Sequence, residues 1–234
     1  MSMNVLVFGA HPDDADLGVG GILAKLGAAD YKVCIADLTA GEMASRGTVE
    51  ERQKEAQEAA ERLGVETRVC LELPDGNVAN VESQRQQVLA CIRQFQPTYI
   101  IAPMTPDRHP DHGAAHALIR DANFLAGLPK IETGHPPHRA NRLFYYHPYH
   151  SIGEAPTFVV DISETYTQKV DALKAFASQL HNPNYAGAET YVSSKAFWEA
   201  IEIRARYWGQ RIGVVYGEPL YTDLPLGVNL PWLT

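Results

Sequence analysis

Two short segments of the sequence combine histidines with carboxylates: Ala10–Asp16, which reads AHPDDAD, and Asp107–His112, which reads DRHPDH. Catalytic zinc sites take three nitrogen and oxygen ligands from the protein and keep a fourth position for water. His11, Asp14 and His112 would supply two imidazoles and one carboxylate, a set that also suits non-haem iron. The two segments therefore indicate one divalent metal with an open coordination position.

The carboxylates of Asp13 and Asp14 leave the backbone in different directions because the two residues are adjacent. One can bind the metal while the other takes a proton from a metal-bound water. We assign Asp14 to the metal and Asp13 to the general base, although the sequence alone also permits the reverse. His109 lies three positions before His112 and is a candidate to stabilise an oxyanion or to protonate a leaving group.

Simpler roles exist for each of these residues taken singly. Asp13 or Asp16 could cap a helix, since Asp is favoured at N-caps, and the histidines could lie on an exposed loop. A dinucleotide site is the structural alternative, but it needs G-x-G-x-x-G where this chain has Gly9-Ala10-His11-Pro12. Two aspartates at that turn would also repel a pyrophosphate. The recurrence of His-Pro-Asp after two separate apolar runs favours the metal site.

Predicted strands and helices alternate along the chain around these residues. Short apolar runs, typical of strands buried on both faces, are Asn4–Gly9, Lys32–Leu38, Thr67–Leu73, Thr98–Pro103, Arg142–Tyr146 and Thr157–Ile162. Helical patterns, the first with a capping box and a C-terminal glycine, are Val49–Leu63, Val81–Phe95, His112–Gly127, Tyr166–Leu180 and Ser194–Tyr207.

This alternation predicts an α/β fold of the doubly wound, Rossmann-like kind, with a mostly parallel sheet and helices on both faces. Right-handed crossovers favour the strand order 3-2-1-4-5. The first and fourth strands are then neighbours at the point where the order reverses, and ligands bind beyond the carboxyl ends of such strands. The two histidine segments are therefore expected to face each other, within one domain over residues 1–234.

Composition narrows the function classes. The chain has 234 residues and a formal net charge of -8, which disfavours a nucleic-acid-binding role because phosphate contacts need clustered Lys and Arg. No apolar run approaches the roughly 18 residues of a membrane span, and the N-terminal residues lack the features of a signal peptide. Three scattered cysteines, Cys34, Cys70 and Cys91, favour a reducing, cytoplasmic location over a disulfide framework.

The other histidines are assigned simpler roles. His116 lies one helical turn after His112 and is a candidate to support the metal site from outside the ligand set. The remaining five lie in proline-rich or aromatic-rich surroundings and are interpreted as loop or packing residues: His135, His138, His147, His150 and His181.

The motifs AHPDD and DRHPDHG together resemble the PIG-L/LmbE-like zinc-dependent N-deacetylases, and the resemblance runs over essentially the whole chain. Four further segments resemble one branch, the bacillithiol-biosynthesis deacetylase that acts on N-acetylglucosaminyl malate. They are Asp37–Met43, Arg46–Thr48, Glu51–Ala56 and Leu73–Gly76. Sister enzymes act on glucosaminyl-inositol, chitooligosaccharide and phosphatidylinositol-linked sugars, so the aglycone stays open.

The resemblance implies a role for each matching position. His11, Asp14 and His112 match the ligands of one zinc ion per chain, Asp13 matches the general base, and His109 matches a histidine that stabilises the transition state. The residues matching substrate contacts are Arg52, Arg108 and Tyr191, the last as a tyrosine that helps to hold the oxyanion. The family often forms hexamers, which implies a homo-oligomer.

The implied reaction is hydrolysis of the N-acetyl group of an N-acetylglucosamine conjugate, a small molecule, with N-acetylglucosaminyl malate giving glucosaminyl malate and acetate. Arg52 and Arg108 could then pair with a carboxylate of the aglycone. One alternative is deacetylation of an inositol-linked sugar or a chitooligosaccharide. Another is a metallophosphoesterase, which usually needs two metals about 3.5–4 Å apart. A non-enzymatic metal- or sugar-binding module is a third, disfavoured by the open coordination position and the additional Asp13.

Overall fold

The computed structural model describes residues 4–148 and 155–227. The strands β1 to β7 are Val5–Gly9, Val33–Thr39, Thr67–Leu73, Tyr99–Pro103, Arg142–Tyr146, Phe158–Asp161 and Gly217–Leu220. The helices α1 to α6 are Asp14–Ala28, Val49–Leu63, Glu82–Phe95, Pro110–Ala126, Tyr166–Leu173 and Lys195–Ile212. The main sheet has the order β3-β2-β1-β4-β5, and all its neighbouring strands are parallel. The predicted α/β fold and strand order are confirmed.

The central strand β1 shows why the sheet is buried on both faces. Val5 and Val7 pack into a core on one face, while Leu6 and Phe8 pack into a second core on the other. Successive side chains of a strand point to opposite faces, so an unbroken apolar run serves both layers. Residues of α1, α2, α5 and α6 complete the first core, and residues of α3 and α4 complete the second. Helices therefore cover both faces, as predicted.

Helix α1 is kinked at Val19, whose backbone is not helical. A kink leaves backbone groups without helical partners. The carboxylate of Glu218 accepts the N–H groups of Gly21 at 3.0 Å and Ile22 at 2.8 Å. Lys169 Nζ donates to Glu218 and, at 2.7 Å, to a carbonyl oxygen of the preceding turn. A buried ion pair thus completes the hydrogen bonding at the kink and holds the site-bearing first half of α1.

The observed ends of α2 and α5 can be compared with the helix ends predicted from the sequence. α2 begins after Thr48, whose Oγ1 accepts the N–H of Glu51 at 3.1 Å, and ends at Gly64 with φ of 73°, which confirms the capping prediction. The predicted helix over Tyr166–Leu180 is wrong at its C-terminal end, because α5 stops at Leu173. Glu55 of α2 takes both the N–H and the hydroxyl of Ser178, each at 2.7 Å. A side chain thus accepts the N–H that a continuing helix would use.

A second, two-stranded sheet lies outside the main one. The predicted strand Thr157–Ile162 appears as β6, but it pairs antiparallel with β7 and does not join the parallel sheet. The segment Gly217–Leu220 was not predicted, because its sequence GEPL has neither an apolar run nor alternation. α6 also continues to Ile212, beyond the predicted end at Tyr207. None of the helices in the described ranges combines the length and hydrophobicity that a membrane-spanning segment requires.

Candidate metal and catalytic site

The two histidine segments meet at the carboxyl edge of the main sheet. β1 and β4 are paired, with Val5 opposite Tyr99, so the turns that follow them are neighbours. Asp14 is the first residue of α1, and His112 lies in the first turn of α4. The start of α4 is set locally, because His109 is its N-cap and Pro110 follows at a position where a helix needs no N–H donor. Two helix N-termini therefore carry the candidate site residues towards each other.

The three predicted metal ligands are in contact. Oδ2 of Asp14 lies 3.3 Å from Nδ1 of His11 and 3.1 Å from Nε2 of His112. All three residues are buried. Burial raises the pKa of Asp14, but the charge of His112 and hydrogen bonds from both histidines lower it well below its usual range. Two imidazole nitrogens converging on one ionised carboxylate oxygen form a donor set that fits zinc with a position left for water or substrate.

Carboxylates hold each of the two histidines on the side away from Asp14. Nδ1 of His112 lies 3.0 Å from Oδ1 of Asp107. Nε2 of His11 lies 3.2 Å from Asp75 and 3.3 Å from Asp111. A carboxylate behind a ligating imidazole fixes the ring and its tautomer and raises its basicity.

None of these three carboxylates is among the site residues predicted from the sequence. Two of them, Asp107 and Asp111, lie inside the second histidine motif, and Asp75 lies in the Leu73–Gly76 segment. Their positions inside these motifs are the sequence feature that could have indicated a role at the site. Which ring each carboxylate meets depends on how the strand ends are packed.

Asp13 occupies the N-cap position of α1, but among the described residues its side chain makes no capping hydrogen bond. Its φ of 155° is unusual for a residue other than glycine. The carboxylate lines the cleft above the metal ligands and lies 3.7 Å from Nη2 of Arg52. Burial raises the pKa of Asp13 to about 7, against the opposing charge of Arg52. A carboxyl group with a pKa near neutrality, placed at the cleft floor, suits proton transfer at neutral pH.

His109 faces the same space. Its Nδ1 accepts the backbone N–H of Asp111 at 3.3 Å, so the neutral ring carries its proton on Nε2. The ring centroid lies 4.6 Å from that of His11 and 4.9 Å from that of His112. Burial and the positive charges of those two histidines lower the pKa of His109. His109 is therefore placed as a neutral hydrogen-bond donor beside the candidate metal ligands.

A cleft of about 360 Å³ opens above these residues. Six of the eight predicted site residues line it: His11, Asp13, Arg52, Arg108, His109 and Tyr191. The other two, Asp14 and His112, have no exposed side-chain surface and lie beneath the floor. The structure thus brings all eight residues to one region.

The predicted substrate residues occupy different positions in this cleft. Arg52 is only 4% exposed and donates to the carbonyl oxygens of Gly41 at 3.0 Å and Pro12 at 3.3 Å. Its guanidinium therefore serves the loops around Asp13. Arg108 is exposed, and its guanidinium carbon lies 4.4 Å from the ring centroid of Tyr191, which is itself 48% exposed. The exposed pair at the rim is better placed than Arg52 to meet a ligand.

His116 and His147 lie behind the site. Nδ1 of His116 lies 3.3 Å from the carbonyl oxygen of Pro103, and its ring packs on that of Tyr145. His147, interpreted from the sequence as a packing residue, is 9% exposed, and its Nδ1 lies 3.8 Å from Oδ2 of Asp107. The aromatic residues around His147 in the sequence give no indication that it lies near Asp107.

Two of the remaining histidines are held by backbone carbonyls. His138 contacts the carbonyl oxygen of Pro97 at 2.7 Å, and His181 contacts that of Ser193 at 3.3 Å. These contacts agree with a structural role for both. His150 lies outside the described residues.

Comparisons with known proteins place this site in a family context. The model of the PIG-L family, described as GlcNAc-PI de-N-acetylase, matches residues 6–123, a range that contains both histidine segments. The crystal structure of the conserved protein TT1542 from Thermus thermophilus is 40% identical in sequence. It superposes with a TM-score of 0.88 and covers 98% of each chain.

Two similar proteins have named activities. Diacetylchitobiose deacetylase from Thermococcus kodakarensis is 28% identical over 92% of this chain and 80% of its own length. The structure of N,N'-diacetylchitobiose deacetylase from Pyrococcus horikoshii is 25% identical, with a TM-score of 0.78 and coverage of 92% of this chain and 82% of that one. The family model spans half of the chain, and the chain belongs to the PIG-L family.

Proposed function

We propose that this protein is a zinc-dependent hydrolase that removes the N-acetyl group from an N-acetylglucosamine conjugate. The observation that carries the proposal is the convergence of His11 and His112 on one oxygen of Asp14, directly below a cleft that Asp13 lines. Membership of the PIG-L family and similarity to two diacetylchitobiose deacetylases support the same reaction class.

Each polar group at the cleft floor has a place in amide hydrolysis. Zinc held by His11, Asp14 and His112 would supply Lewis-acid polarisation and an acidified water. Asp13 accepts the proton of the attacking water, and Nε2–H of His109 hydrogen-bonds the oxygen of the tetrahedral intermediate. The C–N bond then breaks, and the proton passes to the departing nitrogen. The products are acetate and a glucosamine with a free amine.

Tyr191 lies at the rim of the same cleft, on the side of Arg108. Its phenol group is a second candidate donor to the oxygen of the tetrahedral intermediate. This role, implied by the family resemblance, requires Tyr191 to turn towards the acetyl group, and half of its surface is exposed at the cleft.

The proposed substrate within this class is N-acetylglucosaminyl malate, as in bacillithiol biosynthesis. Its malate carboxylates would meet Arg108, the exposed one of the two predicted arginines. Arginine recognises carboxylates through paired, charge-assisted hydrogen bonds. Arg52 already donates to two backbone carbonyl oxygens. Its role is therefore to place a positive charge near Asp13, and it does not contact the aglycone. A chitooligosaccharide is the second candidate, because two of the similar proteins carry the name diacetylchitobiose deacetylase.

The test is a primary-amine release assay on four compounds: N-acetylglucosaminyl malate, N-acetylglucosaminyl inositol, diacetylchitobiose and N-acetylglucosamine. We expect chelator-sensitive release, fastest with the malate conjugate. Arg108→Ala should raise KM for the malate conjugate at least tenfold, and Arg108→Lys should do so less, while KM for diacetylchitobiose changes little.

The outcomes separate the levels of the proposal. Equal rates with all four compounds would remove the malate assignment and keep the deacetylase class. Zinc binding without amine release from any of them would overturn the deacetylase. Two metal ions per chain together with phosphate-ester hydrolysis would favour a metallophosphoesterase instead.

A further inference from the structure

Residues 181–193 form a loop without helix or strand in the connection between α5 and α6. Its ends are close together, because Nδ1 of His181 lies 3.3 Å from the carbonyl oxygen of Ser193. Compact loops with joined ends are common carriers of functional residues. Thr190, Tyr191 and Val192 of this loop line the cleft. How the loop is held therefore decides where Tyr191 lies.

The loop is fastened in its middle by Tyr185. The Tyr185 hydroxyl donates to Oε2 of Glu51 at 3.0 Å, and the guanidinium carbon of Arg46 lies 4.8 Å from the centroid of the Tyr185 ring. Tyr185 is half-buried, whereas both residues that flank it, Asn184 and Ala186, are exposed. Its ring and hydroxyl are therefore the part of this stretch that is attached to the body of the protein.

The surface that receives Tyr185 is formed by the first turn of α2 and the loop before it. Glu51 lies in the first turn of α2, next to Arg52, which reaches the cleft floor. The carbonyl oxygen of Arg46 accepts Nε2 of Gln179 at 2.6 Å. Arg46 is 8% exposed, and within the described ranges its Nε and Nη2 have no hydrogen-bond partner. Arg46 therefore meets the loop through the face of the Tyr185 ring, a cation–π contact.

Tyr191 follows Tyr185 by six positions, and its carbonyl oxygen accepts the hydroxyl of Ser194 at 2.8 Å. Its ring lies below Arg108 and edge-on to Phe197, with a centroid distance of 5.4 Å to the latter. Both tyrosines lie on one loop, so a fixed Tyr185 limits the positions that Tyr191 can reach.

We propose that Tyr185, through Glu51 and Arg46, is a positioning residue that holds Tyr191 where it can meet the acetyl group. This inference rests on the proposed deacetylase function for its kinetic consequence. Holding a catalytic group in place before substrate binds lowers the entropy lost in the reaction step. Tyr185 touches no reacting atom and acts only through Tyr191.

A double-mutant cycle tests this inference, with Tyr185→Leu, Tyr191→Phe and the two combined. We expect Tyr185→Leu to lower kcat about tenfold in the wild-type background and to have no further effect when Tyr191 is already Phe, because coupled residues act non-additively. Glu51→Gln, which keeps an oxygen acceptor for the Tyr185 hydroxyl, should retain most of the activity. Tyr207→Phe, on the exposed side of α6, is the matched control and should leave kcat unchanged.

A second readout does not depend on activity. Amide hydrogen exchange of residues 188–192 should be faster in Tyr185→Leu than in wild type or Tyr207→Phe, since local opening governs exchange. Zinc affinity and the unfolding temperature should stay near wild type. Multiplicative effects of the two substitutions on kcat, or unchanged exchange in the loop, would overturn the positioning role. A wild-type protein that releases no amine would instead count against the proposed function, and exchange would still judge the role of Tyr185.

Discussion

Oδ1 of Asp107 lies 3.0 Å from Nδ1 of His112, on the side of the ring opposite Asp14. The same oxygen accepts the backbone N–H of His109 at 2.9 Å. Burial raises the pKa of Asp107, but the nearby imidazoles of His112 and His147 and the backbone N–H of His109 outweigh burial and lower that pKa. An ionised Asp107 therefore orients Nε2 of His112 towards the candidate metal position.

Replacing Asp107 with Asn tests this arrangement. The amide oxygen can still accept from His112, but the negative charge that increases the basicity of the ring is lost. We expect zinc affinity to fall about 10–100-fold, measured by competition with a chromogenic chelator. Asp171→Asn, at an exposed position of α5, should bind zinc like wild type. Wild-type affinity in the Asp107 variant would contradict the orienting role.

Replacing Asp13 with Asn separates metal binding from proton transfer. The variant keeps the size of the side chain and leaves the contacts between Asp14 and the two histidines unchanged, but an amide cannot accept the proton of water. We expect one zinc per chain and amine release about 10²–10⁴-fold slower. Metal content and kcat on the same preparation provide the measurement. A variant that binds zinc and turns over normally would show that another group is the base, and Asp30→Asn is the surface control.

Removing one partner of the buried ion pair between Lys169 and Glu218 should strongly lower the free energy of unfolding, although the pair is not part of the candidate site. Lys169→Met leaves the buried Glu218 carboxylate with the N–H donors of the α1 kink but without its counter-charge. Removing one partner of a buried pair costs about 3–5 kcal/mol, measured by urea unfolding.

The combined variant Lys169→Met/Glu218→Gln should recover part of that loss, because no unpaired charge remains buried. Lys174→Met, at an exposed position, is the control. A Lys169 variant as stable as wild type would mean that the kink does not depend on the pair.

Adding a single methyl group at Gly18 in α1 should destabilise the protein through a steric clash. A Cβ at this position would overlap the ring of Tyr146, which is buried and hydrogen-bonded to the carbonyl oxygen of Phe8. Gly18→Ala should therefore destabilise the fold by about 1–3 kcal/mol, the usual cost of overpacking, despite the better helix propensity of Ala. Gly113→Ala in α4 is the matched control, since among the residues that the structure describes its Cβ would meet only Oγ1 of Thr105, at 3.5 Å. Equal stabilisation by both substitutions would contradict the close packing at Gly18.

The parts of the fold that were predictable are those with local signals. Mainly apolar runs and helix caps are signals carried by residues that are close together in sequence. β3, β5 and α2, which have such signals, have the predicted bounds. β7 has no such signal in its sequence. It is held by pairing with β6 and by the hydrogen bond from the backbone N–H of Gly21 in α1 to its own Glu218. α5 ends at Leu173, earlier than predicted, and beyond that end the N–H of Ser178 is taken by Glu55, which is distant in sequence.

The amino-acid sequence alone predicts the fold class, the strand order and five residues of the metal and catalytic site, because their motifs directly follow predicted strands. These residues are His11, Asp13, Asp14, His109 and His112. The folded molecule adds the contacts of Asp107 and Asp75 with the two rings. It also shows that Arg52 donates to backbone carbonyls while Arg108 is exposed. These contacts join residues from different strand ends and loops. Their distances depend on how the sheet and helices pack, which no local spacing encodes.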